Sequence, residues 1–90
     1  MTFTATINQR RALEGLAYWA AEQAYTRERF PADADTLRRA DETICMNFDI
    51  CDRLQVPYWV QNTVLCWAQN WRNTKTDYLR HAMTAHNINL

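Results

Sequence analysis

Apolar residues recur at helical spacing in three stretches of the chain, and two prolines separate these stretches. In the first stretch the apolar positions are Leu13, Leu16, Ala17, Ala20 and Ala24. Steps of three and four residues place such side chains on one face of an amphipathic helix. Pro31 and Pro57 interrupt the pattern, because proline cannot supply the N–H that a helix interior needs. The pattern predicts three helices, over about residues 8–30, 35–55 and 57–85.

The second predicted helix has an apolar stripe on one side and acidic residues on the other. The stripe consists of Leu37, Ala40, Ile44, Phe48 and Cys51. Asp33 or Asp35 can cap its start, since a carboxylate accepts from the free N–H groups of the first turn. Glu42, Asp49 and Asp52 share the opposite side. We interpret that side as a solvated face, with metal binding and mimicry of nucleic-acid charge as the alternatives.

The third predicted helix is the longest and the richest in aromatic residues. Its stripe consists of Val60, Val64, Trp67, Trp71, Tyr78 and Ala82. A straight helix over 57–85 would be about 43 Å long, against about 33 Å and 30 Å for the other two. The polar stretch 70–76 can kink it or leave it protruding. Since the second half would lack a partner within the chain, we expect self-association, most simply as a dimer.

These elements predict an all-α fold: an antiparallel three-helix bundle with a long C-terminal helix, built as a single domain over residues 1–90. Asn8 is the expected N-cap of the first helix, and Gly15 indicates a close helix crossing. The chain has no Asn-Gly or Asp-Gly dipeptide, which argues against tight hairpins and a β-rich fold. The tail 86–90 is expected to fray unless Ile88 and Leu90 dock on the bundle.

Composition excludes several classes of function. The chain has one glycine and no serine, so it has neither a glycine-rich phosphate loop nor a serine nucleophile. Ten basic and ten acidic residues give a net charge of zero, which argues against binding long nucleic acids, because that affinity requires many neutralised phosphates. No stretch predicts a membrane span or a signal peptide. We therefore expect a cytoplasmic protein that is not an enzyme.

Cysteine and histidine spacing gives no metal or catalytic motif. The three cysteines, Cys45, Cys51 and Cys66, show no CxxC pattern, so we expect reduced thiols. His81 and His86 are five residues apart, which does not match the i, i+4 spacing of two ligands on one helix face. We expect no cofactor and no metal.

Exposed aromatic residues are the best candidates for a binding surface. The proposed anchors for a protein partner are Tyr58, Trp59, Trp71 and Arg72. Tryptophan, tyrosine and arginine dominate the binding energy of protein interfaces, so the first hypothesis is a non-enzymatic module that acts stoichiometrically on a larger protein. In size and lack of motifs the chain resembles anti-CRISPR proteins, the small proteins of phages and plasmids that block host defence complexes. That resemblance implies an inhibitor.

A second hypothesis is a helical oligomer that binds or sequesters a nucleotide or another small anion. Its candidate residues are Arg72, Lys75, Tyr78 and Arg80. Cations beside aromatic rings can pair with phosphates while a base stacks on the ring. The alternative is a solvated helix end, where cations suit the helix dipole.

Overall fold

The computed structural model describes residues 1–71 and 76–90 of the chain. Within them lie four helices, α1 (Ile7–Arg29), α2 (Ala34–Arg53), α3 (Tyr58–Trp71) and α4 (Thr76–Thr84), and two short strands, β1 (Phe3–Thr4) and β2 (Ile88–Asn89). The all-α prediction is confirmed, since the described structure is mostly helical (76%). None of the helices described is both long enough and apolar enough to cross a bilayer.

The first helix begins with a reciprocal cap at Thr6. The Gln9 backbone N–H donates to Thr6 Oγ1 at 3.2 Å, and the Thr6 N–H donates to Gln9 Oε1 at 2.9 Å. This capping box satisfies two backbone N–H groups at once. Asn8, the cap predicted from sequence, lies inside the helix instead.

The α1 and α2 helices pack antiparallel. Three contacts join Gln9 to Leu54, Gly15 to Asn47 and Gln23 to Asp41. From one contact to the next, the residue number rises on α1 and falls on α2, so the two helices are antiparallel. Asp33 caps α2 by accepting from the Thr36 N–H at 3.2 Å, so the predicted cap is confirmed.

Gly15 lies at a close helix crossing, as the sequence predicts. A Cβ atom built on it would lie 2.7 Å from Oδ1 of Asn47 on α2. That separation is shorter than a van der Waals contact between carbon and oxygen, so the absence of a side chain lets the two helices approach. The Asn47 side chain is held there by its amide nitrogen, which donates to the Thr43 carbonyl oxygen at 2.9 Å.

The single long helix predicted over 57–85 is not confirmed. The structure has a 14-residue α3 and a nine-residue α4, and the predicted kink region falls partly on residues 72–75, outside the described part. The second half of this segment does not overhang. Leu79 and Met83 of α4 are buried in the same core as Val60 and Val64 of α3, so the chain supplies their partners itself.

The C-terminal tail docks instead of fraying. Phe3 of β1 pairs with Ile88 of β2 in parallel register, and Ile88 is completely buried. Asn87 turns the chain into this strand with φ 61°, a left-handed conformation that asparagine tolerates better than most residues. The length argument for a dimer therefore no longer holds, and self-association stays a prediction that the structure does not test.

Candidate interaction surface

Two of the four predicted protein anchors, Tyr58 and Trp71, lie at opposite ends of α3. They are the first and last residues of this 14-residue helix, about 20 Å apart along its axis. Tyr58 is 73% exposed, whereas Trp59 is partly buried and packs against the core. Arg72 lies outside the described residues. Of the two anchors whose side chains the structure describes, Tyr58 and Trp59, Tyr58 is the more exposed.

Two of the four predicted ligand residues, Tyr78 and Arg80, lie on different sides of α4. Tyr78 lines an apolar cavity between α3 and α4, while Arg80 reaches the other way, to Glu14 of α1 at 3.7 Å. Residues two apart on a helix point to nearly opposite sides, so these two side chains do not share a site. Arg72 and Lys75 lie outside the described part of the chain.

Glu14 holds two cations at once. It pairs with Arg10 of its own helix at 3.6 Å and with Arg80 of α4 at 3.7 Å. Side chains of all three residues are partly exposed, so solvent screening keeps each pair weak. The pairing shows that Arg80 is engaged in attaching α4 to α1, which reduces its availability for an anionic ligand.

A group of exposed apolar side chains lies on α1 and α2, where the sequence predicts no site. Besides Ile7 at the start of α1, four large side chains of these two helices are exposed by between 41% and 61%: Tyr18, Tyr25, Met46 and Ile50. We call them the α1–α2 face.

The close crossing at Gly15 brings the members of this face together. Tyr18 follows Gly15 by three residues and Ile50 follows Asn47 by three, which turns each side chain about 60° away from the contact line. Both side chains are exposed, so each one points away from the contact between the helices and towards solvent. Because the helices are antiparallel, Tyr18 lies beyond the crossing in one direction along the helix axes, and Ile50 lies beyond it in the other direction. Tyr25 lies one heptad beyond Tyr18 on the same side of α1.

Neighbouring aromatic and charged groups position the two tyrosines. Tyr18 meets Trp19 edge to face, with ring centroids 5.4 Å apart, and Trp19 packs against the core. Tyr25 lies 6.2 Å from the Phe30 ring, and the Arg29 guanidinium carbon is 5.8 Å from the Tyr25 centroid. On α2, Met46 and Ile50 line a shallow hollow of about 190 Å³ together with Asp49 and Arg53.

The three cysteines differ in exposure, and we expect them to differ in reactivity for that reason. Cys51 is completely buried, and burial, with a smaller contribution from Asp52, raises the pKa of its thiol from 9.0 to about 11. Cys45 and Cys66 are exposed. In the described ranges no group of three or more His, Cys, Asp or Glu side chains is arranged to hold a metal ion.

One exposed carboxylate has a perturbed pKa. Hydrogen bonds from the Thr36 hydroxyl, at 2.7 Å, and from the Thr36 backbone N–H lower the pKa of Asp33 below 3.8. Both bonds belong to the α2 cap, so this shift reflects helix capping and not catalysis.

Comparison with known proteins identifies no relative. No family model matches the chain, and neither the curated proteins nor the solved structures include a match. The function is therefore argued from the geometry alone.

Proposed function

We propose that this protein is a non-enzymatic binding module that covers a surface of a larger protein with its α1–α2 face. The observation that carries the proposal is the exposure of four large side chains on two helices that pack closely at Gly15. Exposed apolar residues are ordinary when they are scattered singly, whereas a contiguous patch marks an interaction site.

The composition of the face supports a protein partner. Its centre holds two tyrosines, a methionine and an isoleucine, and exposed arginines such as Arg11, Arg29 and Arg53 lie on the same two helices. Aromatic residues, methionine and arginine are enriched in protein interfaces. The charged side chains would form a rim that stays in contact with water.

The face is also preorganised. Both of its elements are long helices, of 23 and 20 residues, and the Gly15 crossing fixes their separation. Tyr18 is supported by Trp19, which packs on the core. A surface whose anchors are already ordered loses less conformational entropy on binding.

The proposal retains the roles that the sequence suggested. The partner would be a larger cytoplasmic complex, in the way that anti-CRISPR proteins block host defence complexes, and the binding would be stoichiometric. A homodimer is compatible with the proposal if it leaves the face accessible. The small size of the chain, its helical fold and its lack of motifs support the inhibitory role.

Site-specific photocrosslinking in the source cell tests the face directly. A photoreactive residue replaces Tyr18 on the α1–α2 face in one variant and Tyr58 at the start of α3 in a matched control, since both tyrosines are exposed. The proposal expects one protein crosslinked from position 18 and little from position 58. Crosslinking from position 58 alone would assign binding to the α3 start, and crosslinking from neither position would refute the proposal.

A further inference from the structure

A second surface, on the other side of the core, contains two adjoining cavities between α3 and the C-terminal segment. The first measures about 280 Å³ and is lined by Trp67, Tyr78, His81 and Ala82. Tyr78, His81 and Ala82 follow the i, i+3, i+4 pattern of one face of α4. The walls are aromatic and aliphatic, so this cavity suits an apolar group.

The second cavity measures about 400 Å³ and has a mixed lining, in which polar side chains stand among apolar surface. It is lined by Asn62, Thr63, Cys66, Trp67, Asn70 and His86. Trp67 lines both cavities, so the two adjoin at its side chain. Together they fall in the size range of small-molecule sites, roughly 300–1,000 Å³, which combine apolar walls with a few polar groups.

The polar groups of the second cavity are held in place along α3. Asn62, Cys66 and Asn70 recur every four residues and share one helix face. The Cys66 thiol donates to Asn62 Oδ1 at 3.8 Å, and Asn70 Nδ2 donates to the Cys66 carbonyl oxygen at 2.8 Å. Each carboxamide uses one of its two polar ends in these bonds, which leaves the Asn62 nitrogen as a donor and the Asn70 oxygen as an acceptor for a ligand.

We propose that this groove binds a neutral ligand composed of one aromatic ring of indole or purine size and an uncharged polar substituent. The ring enters the apolar cavity and packs against Trp67, since aromatic rings favour stacked or edge-to-face contacts. The substituent hydrogen-bonds to Asn62 and Asn70. The polar substituent is uncharged because it pairs with two neutral carboxamides, those of Asn62 and Asn70.

Titration with defined probes tests the groove. Adenosine and N-acetyltryptophanamide carry a ring and an uncharged polar part, indole carries the ring alone, and AMP adds a charge. Two-dimensional NMR follows the indole N–H of Trp67. We expect saturable shifts with adenosine or N-acetyltryptophanamide at or below about 1 mM, and no tighter binding of AMP than of adenosine.

Matched variants locate the site. Ala82→Leu fills the apolar cavity, whereas Ala85→Leu places the same side chain at a nearby exposed position. We expect Ala82→Leu to weaken binding of the responding probe at least tenfold and Ala85→Leu to leave it unchanged. If Ala82→Leu does not fold, Asn62→Ala at the exposed end of the groove replaces it, and it should weaken the probes with a polar substituent while sparing indole.

Three results would overturn the proposal. The first is the absence of saturable shifts with all of the uncharged probes, and the second is tighter binding of AMP than of adenosine. The third is equal binding by a folded Ala82→Leu variant and its Ala85→Leu control. If Ala82→Leu does not fold, the corresponding result is equal binding by Asn62→Ala and wild type.

Discussion

Asn47 Oδ1 lies 2.7 Å from the position that a Cβ atom would take on Gly15, which couples one residue of α1 to one of α2. The missing side chain of Gly15 lets the two helices approach closely, with Tyr18 and Ile50 on either side of the crossing. The surface that we propose for binding therefore depends on a glycine and an asparagine that have little to do with partner contact themselves.

The Gly15–Asn47 contact predicts energetic coupling. In an open helix, Gly→Ala adds about 1 kcal/mol of stability. In wild type, Gly15→Ala must displace the Asn47 side chain, which costs roughly the 1 kcal/mol of its hydrogen bond to Thr43. We expect Gly15→Ala to be near neutral in wild type and stabilising in an Asn47→Ala background. Urea unfolding of the four proteins gives the coupling free energy, and equal effects in both backgrounds would contradict the contact.

The capping box at Thr6 predicts a position-specific loss of stability. Thr6→Ala removes the acceptor for the Gln9 N–H and should lower the free energy of unfolding by about 1 kcal/mol. Thr6→Ser keeps the hydroxyl and should restore most of that loss. Asn8→Ala serves as the control, because Asn8 is exposed within the first turn. A larger effect at Asn8 than at Thr6 in thermal or urea unfolding would show that α1 begins later than described.

The docked tail predicts a large effect of truncating the Ile88 side chain. Ile88→Ala removes a completely buried side chain and should cost about 2–5 kcal/mol. Asn89→Ala, next to it and exposed, should change stability by no more than about 0.5 kcal/mol. Equal and small effects of both substitutions on urea unfolding would indicate that the tail is frayed.

The cysteines predict a selective pattern of labelling. Cys45 and Cys66 are exposed, whereas Cys51 is buried with a pKa of about 11. Because the thiolate is the reactive form, a thiol reagent at neutral pH should modify two cysteines in the folded protein and all three in denaturant. Mass spectrometry of the labelled peptides identifies them. Modification of Cys51 at the rate of the other two would contradict its burial.

The same thiol predicts a pH dependence of stability. The pKa of Cys51 is raised in the folded state from 9.0 to about 11, so the folded state holds this proton more tightly than the unfolded state does. Its contribution to stability is present below pH 9 and is lost as the pH rises towards 11. Cys51→Ala should therefore reduce the fall in unfolding free energy over that range, relative to wild type. An unchanged slope would show that the thiol does not contribute.

Periodicity predicts the core side of the helices well. Ala40, Ile44 and Cys51 of the α2 stripe are buried, because a one-sided apolar pattern has a single way to leave water. The division of the third segment into α3 and α4 was harder to predict, since Trp67 and Tyr78 belong to one stripe on both sides of the polar stretch. Tertiary contacts show that α4 packs on the bundle: Leu79 and Met83 are buried in the core that α3 shares.

The α1–α2 face could not be assigned from the sequence, although a weak signal was present. Tyr18 and Tyr25 are one heptad apart and off the apolar stripe of α1, and Met46 and Ile50 are one turn apart and off the stripe of α2. Either pair alone is an ordinary exposed pair. Their proximity follows from the antiparallel register and the Gly15 crossing, which are tertiary features that local spacing does not encode.

The affinity of the complex with the crosslinked partner tests the central claim most directly. Calorimetry with purified proteins should give a fixed stoichiometry, and Tyr18→Ala or Ile50→Ala should weaken binding about thirtyfold, which corresponds to about 2 kcal/mol for an interface anchor. Tyr58→Ala, the exposed control, should bind as wild type does. Unchanged affinity of both α1–α2 variants, with Tyr58→Ala weakened instead, would contradict the account.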